Sequence, residues 1–244
     1  MTKGAFTVHL LDAIRINQQR REIYAAVTQG RSRRLSSALI WFERLCLPVS
    51  VWIDHRAKPF NAQGISIVSD DFIDMAEIAP ADTPPRFTGQ ASADDLRQVR
   101  RNLSDLSGRL TDAMRSADFE AAAGACEWAL DGIEDLEEAS ATHHAMSRHI
   151  VESIGLAAVN ALRYHRQSQG GTLKLSRDLV RLQALSLLST TFYDRMAQRH
   201  QARGVGILVN DVPSIPFRAA WQAHQGKTAI ATTSKQEQPD KVAC

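Results

Sequence analysis

Two stretches, QGRSRRLSSALIWFERLCL at 29–47 and QGGTLKLSRDLVRLQALSL at 169–187, decide how this chain is read. They share Gln29/Gln169, Gly30/Gly170, Leu35/Leu175, Ser36/Ser176, Leu39/Leu179, Leu45/Leu185 and Leu47/Leu187, without a gap, at a constant offset of 140 residues. Extended outward, the register holds over 9–71 and 149–211, where 16 of 63 positions are identical. Unrelated segments of average composition would match at about four. Other pairs are alike in kind, among them Leu10/Ile150, Asp12/Glu152, Ile40/Val180, Trp52/Phe192 and Val68/Leu208. The pattern implies an internal duplication.

Each half reads as the same three parts. A first helix is expected over 9–30 and 149–170, with Ile14 and Tyr24, or Ile154 and Tyr164, on one stripe of a 3.6-residue period. Gly30 and Gly170 stand where a left-handed helix end is wanted. Ser36 and Ser176 read as N-caps of a second helix. That helix is expected to run unbroken through Met196 in the second half and to kink or break at Pro48 and Pro59 in the first. Gly64 and Gly204 close it, and β-branched runs at 65–69 and 205–209 follow. These read as two short strands pairing into a small sheet, or else as extended connectors.

Between the halves, residues 73–91 hold Pro80, Pro84 and Pro85 and read as a loop. A helical hairpin is expected over 92–142. Ser92 with Asp95 forms a capping box, and Leu96, Val99, Leu103, Leu106, Leu110 and Met114 hold a heptad-like stripe. Its second helix begins near Asp118 and carries Phe119, Ala122, Cys126, Leu130, Ile133 and Leu136 before an acidic run. The expected organisation is a first unit at 1–72, the loop, the hairpin, a second unit at 143–224, and a polar, disordered tail at 225–244. The fold class is mainly α, a helical bundle of two helix–helix–short-strand units around a central hairpin.

Composition narrows the function classes. Of 244 residues 44% are hydrophobic and 23% charged, enough for a real core. The net charge of +2 does not by itself imply nucleic acid or an anionic membrane. Three cysteines exclude a disulfide-framed secreted scaffold. The start has no signal-peptide pattern, and the most apolar run, at 45–53, is short for a bilayer span, so a cytoplasmic protein without a membrane partner is expected. Arginine outnumbers lysine 23 to 6, which reads as a bacterial coding bias.

No nucleophile elbow, phosphate-cradling glycine loop or C-x-x-C pair is present. The polar feature that repeats is His-x-x-acid, His9 with Asp12 and His149 with Glu152. Residues three apart share a helix face, so the two pairs would hold a divalent metal if they converged in a bundle core. His143 and His144, with Glu134, Glu137 and Glu138, lie close enough in sequence to add ligands. Asp54/Asp194 and Asp71/Asp211 are repeated acids, read as partners of arginine and as turn residues rather than as an acid–base pair. Arg15, Arg20, Arg21, Arg31, Arg33 and Arg34 form a basic cluster that the second half mostly replaces, a pointer to nucleic acid set against a solvated face. The expected function is a non-catalytic binding or interaction module with its site between the halves, for a protein partner or a small ligand. The heptad stripe and acidic run would also serve a homodimer. The alternative is a metal-dependent enzyme using His9, Asp12, His149 and Glu152.

Overall fold

Gly30 and Gly170 end the first helix of each half. The computed structural model describes residues 4–68, 92–140, 144–209, 212 and 215–236, with side chains undescribed at 138–140 and 227–236. The segments expected as a loop at 73–91 and as the last residues of the tail, 237–244, lie outside the described residues. Helices α1 (Ala5–Val27) and α5 (Ala145–Gln167) give way to turns in which Gln29, Gly30, Gln169 and Gly170 all take positive φ. The Gly30 amide reaches back to the Ala25 carbonyl at 2.7 Å, and that of Gly170 to His165 at 2.9 Å, as a left-handed helix end requires.

The second helices, α2 (Arg33–Asn61) and α6 (Leu173–Leu185), begin before the serines expected to cap them. Ser36 and Ser176 are buried inside the first turn instead. Hydroxyl pairs in the turns hold the chain there: Thr28 Oγ1 bonds Ser32 Oγ at 2.8 Å, and Ser168 Oγ bonds Thr172 Oγ1 at 2.8 Å.

The expected break falls in the other half. α2 is continuous through Pro48 and Pro59, while the second half divides at Ser186 into α6 and α7 (Leu187–Gln201). Fully buried Ile53 and Ala57 hold the end of α2 in the core, and packing overrides the prolines. At Ser186 the backbone switches to i→i+3 bonds, Ser186 N to Gln183 O and Ser189 N to Ser186 O. The Ser189 and Thr190 hydroxyls take the carbonyls of Ser186 and Leu187, a back-bonding that bends helices.

No strand forms among the described residues, so the expected small sheet is corrected to a pair of tight turns. Ile67 N bonds Ile65 O and Ile207 N bonds Val205 O, both at 2.9 Å. Val68 and Leu208 follow at φ 74° and 71°, left-handed values that end extended backbone. Each turn is tied to the helix before it: Asn61 Oδ1 accepts from Ile67 N at 3.0 Å, and Gln201 Nε2 donates to Ile207 O at 2.9 Å.

The turns carry their apolar side chains into the opposite half. Val205, Ile207 and Leu208 pack with Tyr24, Leu35 and Leu39, together with Met146, Tyr193 and Ala197. The residues 140 positions from these nine are Ile65, Ile67, Val68, Tyr164, Leu175, Leu179, Phe6, Ile53 and Ala57. All of them pack together in the larger core.

The central hairpin is α3 (Ala93–Ser116) and α4 (Phe119–Ser140), with the Ser92/Asp95 capping box closed in both directions. It packs on the second half, α4 along α5 and α3 across α6 and α7. The acidic run is spent on this docking: Glu137 pairs with Arg148, and Asp131 and Glu134 each bond Arg218 at 2.8 Å. The chain is helical from Phe217 to Gln236, α8, where a tail was expected from 225. Phe217 is fully buried, and Trp221 Nε1 donates to Glu127 at 2.8 Å.

Sequence explains why the hairpin chose this half. The outer face of α5 carries Val151, Gly155, Ala158, Val159 and Leu162, where α1 carries Leu11, Arg15, Gln18, Gln19 and Glu22. α1 is left to pack mainly on α2. Among the described residues α2 is the one helix long and apolar enough, by length and composition, to cross a membrane. Its exposed apolar residues include Trp41, Leu45, Val49 and Trp52, with Leu185, Leu188 and Phe192 exposed on α6 and α7.

A Cβ at Gly155 would lie 2.6 Å from the Phe217 ring. Gly155→Ala is therefore expected to destabilise the protein by about 1–3 kcal/mol through displaced α8 packing. Urea unfolding measures it; an unchanged midpoint would mean that α8 does not dock there.

Candidate functional site

His9 and His149 fall in the first turns of α1 and α5, and both line one cavity of about 180 Å³ between the halves. Twelve of its lining residues form six pairs 140 apart: Phe6/Met146, His9/His149, Leu10/Ile150, Ala13/Ser153, Glu43/Gln183 and Cys46/Ser186. Leu39, Phe42 and Val212 complete the wall. It is an apolar shell with two imidazoles and, on one side only, a carboxylate.

Glu43 is held from outside the cavity. The buried Asn17 side chain donates to its Oε1 at 2.5 Å. Its charge is felt nearby: burial first and then Glu43 raise the Cys46 thiol and the Tyr193 hydroxyl above their ordinary pKa values. Cys46 is half-buried on this wall, whereas Cys126 is fully enclosed in the core. Glu43 and Asn17 were not legible as site residues, because their halves match Gln183 and Ala157, which do not pair.

The acids expected to accompany the histidines do not line the cavity. Asp12 is not among its walls, and Glu152 is buried with Oε2 accepting from Ile215 N at 2.9 Å, ahead of α8. Burial raises the Glu152 carboxyl above the carboxylate range, with that hydrogen bond opposing. Glu137 also accepts from the His144 amide at 2.7 Å, besides its pair with Arg148. His143 and Asp71/Asp211 lie outside the described residues. Among the described residues no group of three or more His, Cys, Asp or Glu is placed to hold a metal ion.

Among the described residues Asp54 and Asp194 pair with no arginine. Each accepts from the start of the first helix in its own half. Asp54 takes Phe6 N at 3.1 Å, Thr7 N at 2.8 Å and Thr7 Oγ1 at 2.6 Å. Asp194 takes Met146 N at 2.9 Å, Ser147 N at 3.1 Å and Ser147 Oγ at 2.6 Å. They anchor the helix starts that carry His9 and His149, so their role is to position rather than to react.

The basic cluster of the first half divides. Arg21 and Arg33 lie beside Glu22, at 3.7 and 3.6 Å. Arg31 and Arg34 instead face Arg195, Arg199 and Arg203 across a separate pocket.

Compared with protein families, with curated proteins and with solved structures, the chain matches none.

Asp194 is fully buried, and desolvation pushes its carboxyl up to about 7 against three hydrogen bonds that favour the anion. The folded state then holds a proton that the unfolded chain releases near pH ~4. Its stabilising contribution is complete below that pH and lost as pH rises to about 7. The melting-temperature advantage of wild type over Asp194→Asn should shrink across this window and stay constant above it. An advantage that grows with pH would show that the hydrogen bonds outweigh burial.

Proposed function

We propose that this chain is a binding module built by duplication of one helix–helix–turn unit, and that it takes a small, mostly apolar ligand in the cavity between its halves. It performs no chemistry on that ligand. One observation carries the reading: the cavity is walled by six residue pairs at the repeat offset, with His9 facing the space from one half and His149 from the other. A site lined by equivalent residues of two units belongs to both. The matched aspartate anchors and the matched turn clusters support the same duplication. An apolar cavity of about 150 Å³ suffices for benzene, so about 180 Å³ suits a ligand of one aromatic ring. The two imidazoles would bond its polar group. In this reading the protein is bacterial and cytoplasmic, on its arginine excess and sparse cysteines.

Saturation-transfer NMR with phenol and indole tests the site. Both probes should receive saturation from wild type, and Ala13→Phe, which fills the cavity, should abolish it. Ser153→Leu serves the same purpose from the opposite wall if Ala13→Phe does not fold. No transfer to either probe, or transfer unchanged in a folded cavity-filled variant, would overturn the reading.

The shared placement of His9 and His149 also favours a second reading, a metal-dependent enzyme. Metal content of protein purified without a histidine tag, beside a His9→Ala/His149→Ala variant, separates the two. Near-stoichiometric iron, manganese or zinc that disappears in the variant would replace the binding module with the enzyme.

A further inference from the structure

Five arginines surround a second pocket, of about 580 Å³, where the turn after α1 meets the end of α7. Arg31 and Arg34 come from the first half, and Arg195, Arg199 and Arg203 from the second. None of the five is in an ion pair among the described residues. His200 lines the same pocket at 9% exposure, and its buried Nδ1 has no hydrogen-bond partner. An unsatisfied buried ring nitrogen beside unpaired guanidiniums is an arrangement that lacks its counter-group.

The fold supplies its own control. A smaller pocket of about 270 Å³ is lined by Gly171, Lys174, Leu175, His55, Arg56, Pro59 and Phe60, each 140 positions from a residue of the first. There Arg31, Arg199 and His200 are matched by Gly171, Pro59 and Phe60, and Arg203 by Gln63. The same backbone crossing is therefore made with two cations, Lys174 and Arg56, in place of five. A helix C-terminus attracts cations, which accounts for Arg199 near the end of α7 but not for Arg31, Arg34 or Arg195. Arg195 and Arg199 repel each other at four-residue spacing on α7, and Arg203 adds a third like charge just past its end.

We infer that the pocket of Arg31, Arg34, Arg195, Arg199 and Arg203 is a binding site for a small phosphoryl-bearing polyanion of diphosphate size. Guanidinium forks match phosphate oxygens bidentately, and His200 Nδ1 gains the partner it lacks. With one ring at its rim, Phe192, the pocket lacks the row of interleaved aromatic platforms on which a nucleic-acid strand stacks, and this favours a small ligand. Leu35 forms an apolar floor, and Phe192, 54% exposed at the rim, offers a ring for an organic portion. This site is separate from the cavity of His9 and His149, and neither reading depends on the other.

Isothermal titration of the full chain with sodium pyrophosphate and with ADP tests the inference. Both should bind, more weakly at higher salt, and Arg31→Ala/Arg199→Ala should weaken both by about tenfold or more. Lys174→Ala in the matching pocket should leave them unchanged. ADP binding tighter than pyrophosphate, with the gain lost in Phe192→Ala, supports the site with an organic phosphate as its ligand. Equal binding supports it with inorganic diphosphate. All these side chains are exposed, and circular dichroism melts confirm folding. Absence of heat with both probes overturns the inference, as does an equal loss from Lys174→Ala. So does oligonucleotide binding that ADP does not displace, which would make the face a nucleic-acid surface.

Discussion

The molecule depends on two short turns that each half lends to the other. Val68 and Leu208 hold positive φ, which costs a non-glycine residue about 1–3 kcal/mol. Full burial of an aliphatic side chain returns about 1.5–3 kcal/mol, and each turn buries at least two: Ile67 with Val68, and Ile207 with Leu208. The strained geometry thus persists because the opposite half encloses its side chains. Neither half has a complete core alone, since Tyr24, Leu35 and Leu39 are covered by residues 205–208. A cavity at such a junction is set by both units at once, and its walls cannot separate without opening both clusters.

Beside these turns, differences between positions 140 residues apart set where the remaining helices pack. Gly155 lets the Phe217 ring lie against α5, and Arg15 at the matching place keeps α1 bare. Apolar Val151, Ala158 and Val159 draw in α4, and the arginines at 148 and 218 then fix the acidic side of that helix. The two crossing pockets diverge by the same means. One keeps Pro59 and Phe60, and the other has Arg199 and His200. A fold that makes the same crossing with Pro59 and Phe60 does not need Arg199 and His200 there for its architecture.

Local and periodic features were legible before the structure. The capping box at Ser92, the stripe from Val99 to Met114 and the helix ends at Gly30 and Gly170 all stand where their spacing puts them. Features set by distant contacts were not. A β-branched run at 65–68 has the composition of a strand, and nothing in that composition announces a left-handed Val68. Pro48 and Pro59 signal a break, but burial of Ile53 and Ala57 carries α2 through them. At the candidate site, the pairing of His9 with His149 could be read from the offset. The arginine pocket could not, because Arg31 and Arg199 belong to segments that no periodicity links. Its traces are Arg31 and Arg34 in the basic cluster and the spacing of Arg195, Arg199 and Arg203 set against His55, Pro59 and Gln63.

The fate of the conspicuous acids bears most directly on what the cavity does. Asp54, Asp194 and Glu152 each accept backbone amide hydrogens: at the start of α1, at the start of α5 and just ahead of α8. Asp54 and Asp194 spend both oxygens this way, and Glu152 spends Oε2. Such bonds fix where a helix begins, and His9 and His149 stand two residues beyond the amides of Thr7 and Ser147. The anchors therefore set the imidazoles on the cavity wall from behind, among mostly apolar side chains. Two imidazoles held this way among mostly apolar side chains, with the Glu43 carboxylate on one wall alone, are the geometry on which the proposed ligand reading rests: shape from the apolar wall and a few placed polar groups.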